Sequence, residues 1–201
     1  MISIIDYGAG NIFSVKNALD YLGLESKLTR DKNDIENADA IILPGVGAFP
    51  SAMNMLGSTG LIDTIKEQAK QNPFLGICLG MQMIFEKGYE FGECDGLGLI
   101  KGKVDKVIAP GLNIPHMGWN KLEKLNDCPL LNGLSDDEYV YFVHSYQAYC
   151  DDKNISAYCE YADRIPALVY DGGNVYGAQF HPEKSGSVGL QILKNFGGLI
   201  K

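Results

Sequence analysis

Between Pro73 and Gln82 the chain reads Pro-Phe-Leu-Gly-Ile-Cys-Leu-Gly-Met-Gln, an apolar strand that runs into a cysteine held between two glycines and continues at once as a helix. So abrupt a strand-to-helix turn lifts the Cys78 side chain out of a sheet, and Gly76 and Gly80 keep Cβ atoms from crowding the strained backbone. The stretch therefore demands a fold in which strands feed directly into helices. It predicts an exposed, aimed sulfur at a helix N-terminus, where free N–H groups and the macrodipole favour the thiolate that attacks carbonyls. A small buried apolar side chain, the commoner fate of a free cysteine, is the competing reading.

Taken in order, the first half of the chain repeats that strand-to-helix logic. Met1–Asp6 reads as a buried strand, Tyr7-Gly8-Ala9-Gly10-Asn11 as a turn, and Ile12, Val15, Leu19 and Leu22 as one face of a helix with Asn11 as its cap. A Gly-x-Gly turn also suggests a dinucleotide site, but Phe13 replaces the third glycine of that fingerprint. A short strand near Ser26–Leu28 precedes Ala40-Ile41-Ile42-Leu43, a continuous apolar strand of the doubly buried parallel type. It ends in Pro44-Gly45-Val46-Gly47, an ordinary turn or a peptide able to present its N–H groups to a developing negative charge. Leu61–Lys70 is helical by its apolar face and stops at Asn72-Pro73.

This alternation predicts an α/β fold, a mostly parallel central sheet with helices on both faces and ligands at the carboxyl ends of the strands. Both Val46 and Cys78 fall at such ends. Beyond Gly92 the texture becomes short and β-rich: Leu99–Ile108, Trp119–Leu122, Tyr139–Cys150, Ile155–Tyr161, Ala167–Tyr170 and Val175–Phe180. These segments are expected to extend the same sheet in antiparallel and mixed fashion, with a last helix near Val188–Phe196. No linker, repeat or low-complexity tract interrupts residues 1–201, so a single domain is expected.

Composition removes several function classes. A formal net charge of −8 opposes binding to a phosphate backbone, so no nucleic-acid partner is expected. No stretch approaches a membrane span of about 20 apolar residues, and Met1 leads straight into a strand without a secretory signal; no membrane association and a cytoplasmic location are expected. The 5 cysteines are odd in number and include no Cys-x-x-Cys pair, so neither a disulfide framework nor a thiolate zinc site is indicated, and no metal is expected. With only 3 histidines, a base for Cys78 comes from a short set.

His181 is the best of them. It stands at the end of a strand, before Pro182, and Glu183 two residues on projects to the same side of an extended chain. Cys78 would attack, His181 would take up and return the proton, and Glu183 would set the ring tautomer and steady the imidazolium. His144, with apolar neighbours and no acid within two residues, is the rival base, and His116 lies in a Gly/Pro stretch of surface-loop composition.

Six stretches together resemble the triad-type, class I glutamine amidotransferases: Tyr7–Asn11, Pro44–Gly47, Gly76–Gln82, Pro115–Asn120, Tyr141–Tyr146 and Gln179–Ser185, in the family's order from end to end of the chain. Within that family the resemblance is to the glutaminases of histidine biosynthesis. It implies a flavodoxin-like fold, no cofactor, and hydrolysis of glutamine to glutamate and ammonia through a γ-glutamyl thioester on Cys78. It assigns the oxyanion hole to Leu79 and to Val46 and Gly47, and substrate contacts to Gly45, Gln82, Ser145 and Tyr146. Nothing in the chain looks able to use ammonia. The resemblance supplies a (βα)₈-barrel cyclase as the partner of a heterodimer, converting PRFAR into imidazole glycerol phosphate and AICAR with ammonia passed through a tunnel. It places Asn11, Trp119, Tyr141 and Lys184 on the docking face, and implies a glutaminase nearly idle until its partner holds the acceptor. A paralogue feeding another synthase, such as one amidating a surface sugar, a silent binding module and a cysteine peptidase are the alternatives.

Overall fold

The computed structural model of the protein describes residues 1–161 and 163–200; Ala162 and Lys201, which the single-domain expectation also spans, lie outside the described residues. The first half alternates as predicted: β1 (Ile2–Ile5), α1 (Ile12–Tyr21), β2 (Ser26–Thr29), α2 (Lys32–Glu36), β3 (Ala40–Gly45), α3 (Phe49–Ser58), α4 (Ile62–Ala69), β4 (Phe74–Cys78) and α5 (Leu79–Met83). The second half runs β5 (Phe85–Gly88), β6 (Cys94–Asp95), β7 (Ile100–Lys106), β8 (His116–Lys121), β9 (Glu123–Lys124), β10 (Tyr139–His144), β11 (Tyr146–Tyr149), β12 (Ile155–Tyr161), β13 (Asp163–Tyr170), β14 (Val175–Ala178) and α6 (Gly186–Gly197).

The central sheet has eight strands in the order β2-β1-β3-β4-β14-β13-β12-β9. Strands β2, β1, β3, β4 and β14 are parallel neighbours, and β13, β12 and β9 continue antiparallel. Every residue of β1, β3 and β4 is buried, because alternate side chains enter different layers. Ile2, Ile4, Leu75 and Ile77 pack with Val15 and Leu19 of α1 and with Ile192 and Phe196 of α6. Ile5, Ile41, Leu43 and Phe74 pack instead with α3 and α4 through Phe49, Leu56 and Ile65. Two hydrophobic layers clamp the sheet from opposite faces and hold the ends of β3, β4 and β14 side by side.

One expectation fails in part. The β-rich second half does not simply extend the main sheet: β8 and β10 form a separate two-stranded ribbon, and β11, β7, β5 and β6 a separate four-stranded sheet. Strand patterning reports that a segment is extended but carries no information on which edge it joins. No helix of the described residues is long and apolar enough to cross a membrane.

Candidate active site

The sharpest local feature of the backbone is Cys78, a non-glycine residue at φ 55°, ψ −111° between β4 and α5. Such a conformation is held only when its surroundings over-determine it. Here they do: a Cβ on Gly80 would fall 1.8 Å from the Leu43 carbonyl oxygen, and one on Gly76 2.6 Å from the Gly80 carbonyl oxygen. Two bare backbones let α5 sit directly against β3 and β4. Gly45, the register partner of Cys78, is part of this contact, since its Cβ would lie 2.7 Å from the Gly80 nitrogen. Gly45 therefore lies beneath the elbow rather than on a substrate-facing wall.

Above the elbow opens a cavity of about 290 Å³. It is lined by Cys78, Leu79 and Gln82 from the elbow, by Val46 and Gly47 after β3, by Ser145 and Tyr146, and by His181. Cys78 is buried, contrary to the sequence-based expectation of an exposed sulfur: it is 6% accessible, with the Val143 carbonyl 3.9 Å from Sγ. Gly47 adopts φ 99° with open space around its Cβ position, so packing does not pin the Val46–Gly47 peptide.

His181 lines the same cavity as Cys78, close enough for the two to interact, and its Nδ1 donates to Glu183 Oε1 at 2.8 Å. Burial opposes the charge on this ring, but Cys78 and Glu183 together outweigh it and raise His181 to about 9. Extended chain is not what brings the carboxylate to the ring. Residues Pro182–Lys184 instead form a turn of 3₁₀ helix, braced by Ser185 Oγ donating to the His181 carbonyl at 2.7 Å and accepting from the Tyr141 N–H at 3.0 Å. The Glu183 side chain is wholly buried, and its Oε2 has no hydrogen-bond partner among the described residues.

Asn11 precedes α1 but makes no capping bond from its side chain. Its amide is engaged elsewhere: Nδ2 donates to Glu183 Oε1 at 3.2 Å, and Oδ1 accepts from Ser14 Oγ at 2.7 Å. Trp119 and Tyr141 oppose each other across the β8–β10 ribbon, with rings edge to face at 6.0 Å. The Tyr141 carbonyl accepts from the His181 N–H, and exposed Lys184 follows Glu183. Asn11, Trp119, Tyr141 and Lys184 thus gather around the loop that carries His181 and Glu183.

His144, the rival base, is buried with no carboxylate beside it and is pushed down to about 3 by burial. His116 is not in a surface loop: it opens β8 and is fully buried. Glu90 escaped the sequence reading. It lines the cavity, and its Oε2 accepts the Phe49 N–H at the start of α3, so the carboxylate is tethered there. Its only signal was a lone acid in a Gly-bounded loop, Gly88–Gly92, with no motif spacing. Among the described residues no group of three His, Cys, Asp or Glu side chains could hold a metal ion.

A strained cysteine at the carboxyl edge of a parallel sheet, with histidine and a buried carboxylate in line, defines a thiol-dependent acyl-transfer site. The chain belongs to the class-I glutamine amidotransferases: a family model of that description, glutamine amidotransferase class-I, matches residues 3–198. More particularly, it is 52% identical to imidazole glycerol phosphate synthase subunit HisH of Bacillus cereus over 202 residues, covering 100% of this chain and 96% of that one. The subunit of the same description from Bacillus thuringiensis is 50% identical over the same shares of both chains. Among solved structures, that of PurLQS from Thermotoga maritima matches with a TM-score of 0.77 at 22% identity, covering 100% of this chain and 98% of that one, a likeness of fold.

Proposed function

We infer that this protein is the glutaminase subunit of an imidazole glycerol phosphate synthase: it hydrolyses glutamine and feeds the ammonia to a cyclase subunit in histidine biosynthesis. For the chemistry, the single observation that carries the reading is one cavity holding the Cys78 sulfur, the His181 ring against it and the Glu183 carboxylate 2.8 Å behind. Cys78 Sγ attacks the side-chain carbonyl carbon of glutamine, and the resulting oxyanion accepts from the Leu79 N–H and from a reoriented amide at Val46 or Gly47. Each such donor is worth roughly 3 kcal/mol of barrier. The imidazolium of His181 protonates the leaving nitrogen, ammonia departs, and the neutral ring then takes a proton from the water that cleaves the thioester.

Gln82, Ser145 and Tyr146 hold the substrate, and the tethered Glu90 carboxylate is placed to receive its α-ammonium group. We further propose that residues 1–201 act as one glutaminase domain in the cytoplasm, without nucleic acid, membrane or cofactor. The partner is a (βα)₈ barrel that docks on Asn11, Trp119, Tyr141 and Lys184 and consumes PRFAR. The grouping of those four residues around the triad loop supports this face. Replacing Cys78 by Ala should abolish glutamate release from the complex while the complex still uses free ammonium. Retained glutamine-driven turnover by Cys78→Ala would refute the assignment.

A further inference from the structure

The two histidines left over from the catalytic assignment are themselves linked. His144 Nδ1 lies 2.8 Å from the Tyr146 carbonyl oxygen, and His144 Nε2 lies 2.9 Å from His116 Nδ1. The last ring nitrogen, His116 Nε2, meets Asn120 Oδ1 at 2.8 Å, while Asn120 Nδ2 points at the Glu160 carbonyl 3.4 Å away. The His116 ring is fully buried and stacked between Phe142 at 4.8 Å and Tyr161 at 4.0 Å, so its plane is fixed.

Proton counting then determines the rest. A carbonyl only accepts, so His144 Nδ1 carries hydrogen, its Nε2 accepts, and His116 Nδ1 donates. With that oxygen toward His116, both ends of the chain are acceptors and the two rings need three protons; oxygen and nitrogen of an amide are told apart only by such counting of hydrogen bonds. One ring would be a buried cation, and burial lowers both histidines, His144 further for the His181 ring beside it. Turning the Asn120 amide end for end removes the charge: its Nδ2 donates to His116, and its oxygen then faces the Glu160 carbonyl at 3.4 Å, beyond hard contact. All links then donate in one direction, toward the cavity.

The chain ends at the Tyr146 carbonyl, which also accepts from Gln82 Nε2 at 2.9 Å. The second hydrogen of that amide goes to Gln179 Oε1 at 3.0 Å. Both donors of Gln82 are thereby engaged inside the protein, leaving its carbonyl oxygen as the free end for the cavity. We propose that His116 and His144 are positioning residues, a neutral chain of fixed tautomers that pins the Tyr146 peptide and orients Gln82 as an acceptor toward glutamine. This rests on reading the cavity as the glutamine site.

Two substitutions of one residue separate positioning from packing. In His144→Asn the amide nitrogen falls where Nδ1 was and still donates to Tyr146; in His144→Gln it falls near Nε2 and reaches only His116. Measured in the complex with the cyclase and its nucleotide, His144→Gln should raise KM for glutamine about tenfold, the worth of one buried hydrogen bond, with kcat changed less than about threefold. His144→Asn should restore KM to within about threefold of wild type, and alkylation of Cys78 by iodoacetamide should be unchanged in both. A wild-type KM in His144→Gln, or equal damage in both variants, would overturn the proposal. Nitrogen-15 NMR of the wild-type complex at neutral pH should show both rings neutral and protonated on Nδ1, since burial lowers both. A cationic ring, or an Nε2–H tautomer at His144, would equally refute it. Failure of the wild-type complex to hydrolyse glutamine would sink the glutaminase reading alone, since the tautomer measurement decides the chain without turnover.

Discussion

At the scale of single residues, the proton on His181 governs the chemistry. Burial alone would strip it, yet the neighbouring sulfur and carboxylate hold it until about pH 9. The ring therefore carries the proton that ammonia needs below that value and loses it above. The sign follows: kcat/KM for glutamine in the complex should fall as pH rises through about 9. Glu183→Gln removes one of the two groups that raise the ring, so its alkaline limb should move to lower pH, read directly from pH–rate profiles. An unmoved limb would show that Glu183 does not set the proton affinity of the ring. Asn11 acts on the same carboxylate from the other side, donating to the oxygen that already accepts from His181.

Among the elements, the elbow between β4 and α5 depends on close backbone approach. The Cβ of an alanine at 80 would overlap the Leu43 carbonyl at 1.8 Å, and a backbone oxygen, unlike a flexible side chain, cannot swing aside. Gly80→Ala should therefore cost at least about 3 kcal/mol, the upper part of the overpacking range, and displace the Leu79 N–H from the oxyanion. Chemical denaturation checks the first effect and residual glutaminase activity the second. A variant as stable as wild type would mean that α5 can slide away from β3. The 3₁₀ turn at Pro182–Lys184 shows the same economy of means: proline opens it, and Ser185 braces the turn that brings Glu183 to His181.

For the molecule as a whole, the docking surface proposed above and the triad share a loop. Trp119, 54% exposed on the β8–β10 ribbon, faces Tyr141, whose carbonyl holds the His181 N–H. An exposed aromatic of this size is a natural anchor for the cyclase. Trp119→Ala should weaken the complex by about 2 kcal/mol, roughly 30-fold in Kd, as measured by calorimetric titration. An unchanged Kd would move the docking face elsewhere. The same ribbon carries His116, Asn120 and His144, so the proposed anchor and the hydrogen-bonded histidines belong to one element.

Amino-acid order by itself determined the parallel half of the sheet, because strands buried on both faces must be continuously apolar and helices must show an apolar stripe. It also determined the strand-to-helix cysteine, which is local, and paired His181 with Glu183, though by an extended geometry that the structure replaces with a 3₁₀ turn. Only the tertiary structure decided how the β-rich half divides into a ribbon and a second sheet, that Cys78 is buried, and that Asn11 serves Glu183 instead of capping α1. It alone brought Glu90 to the cavity and joined His116 to His144, residues 28 positions apart. Such groups are placed by contacts between distant segments, and no local period or spacing records which segments will meet.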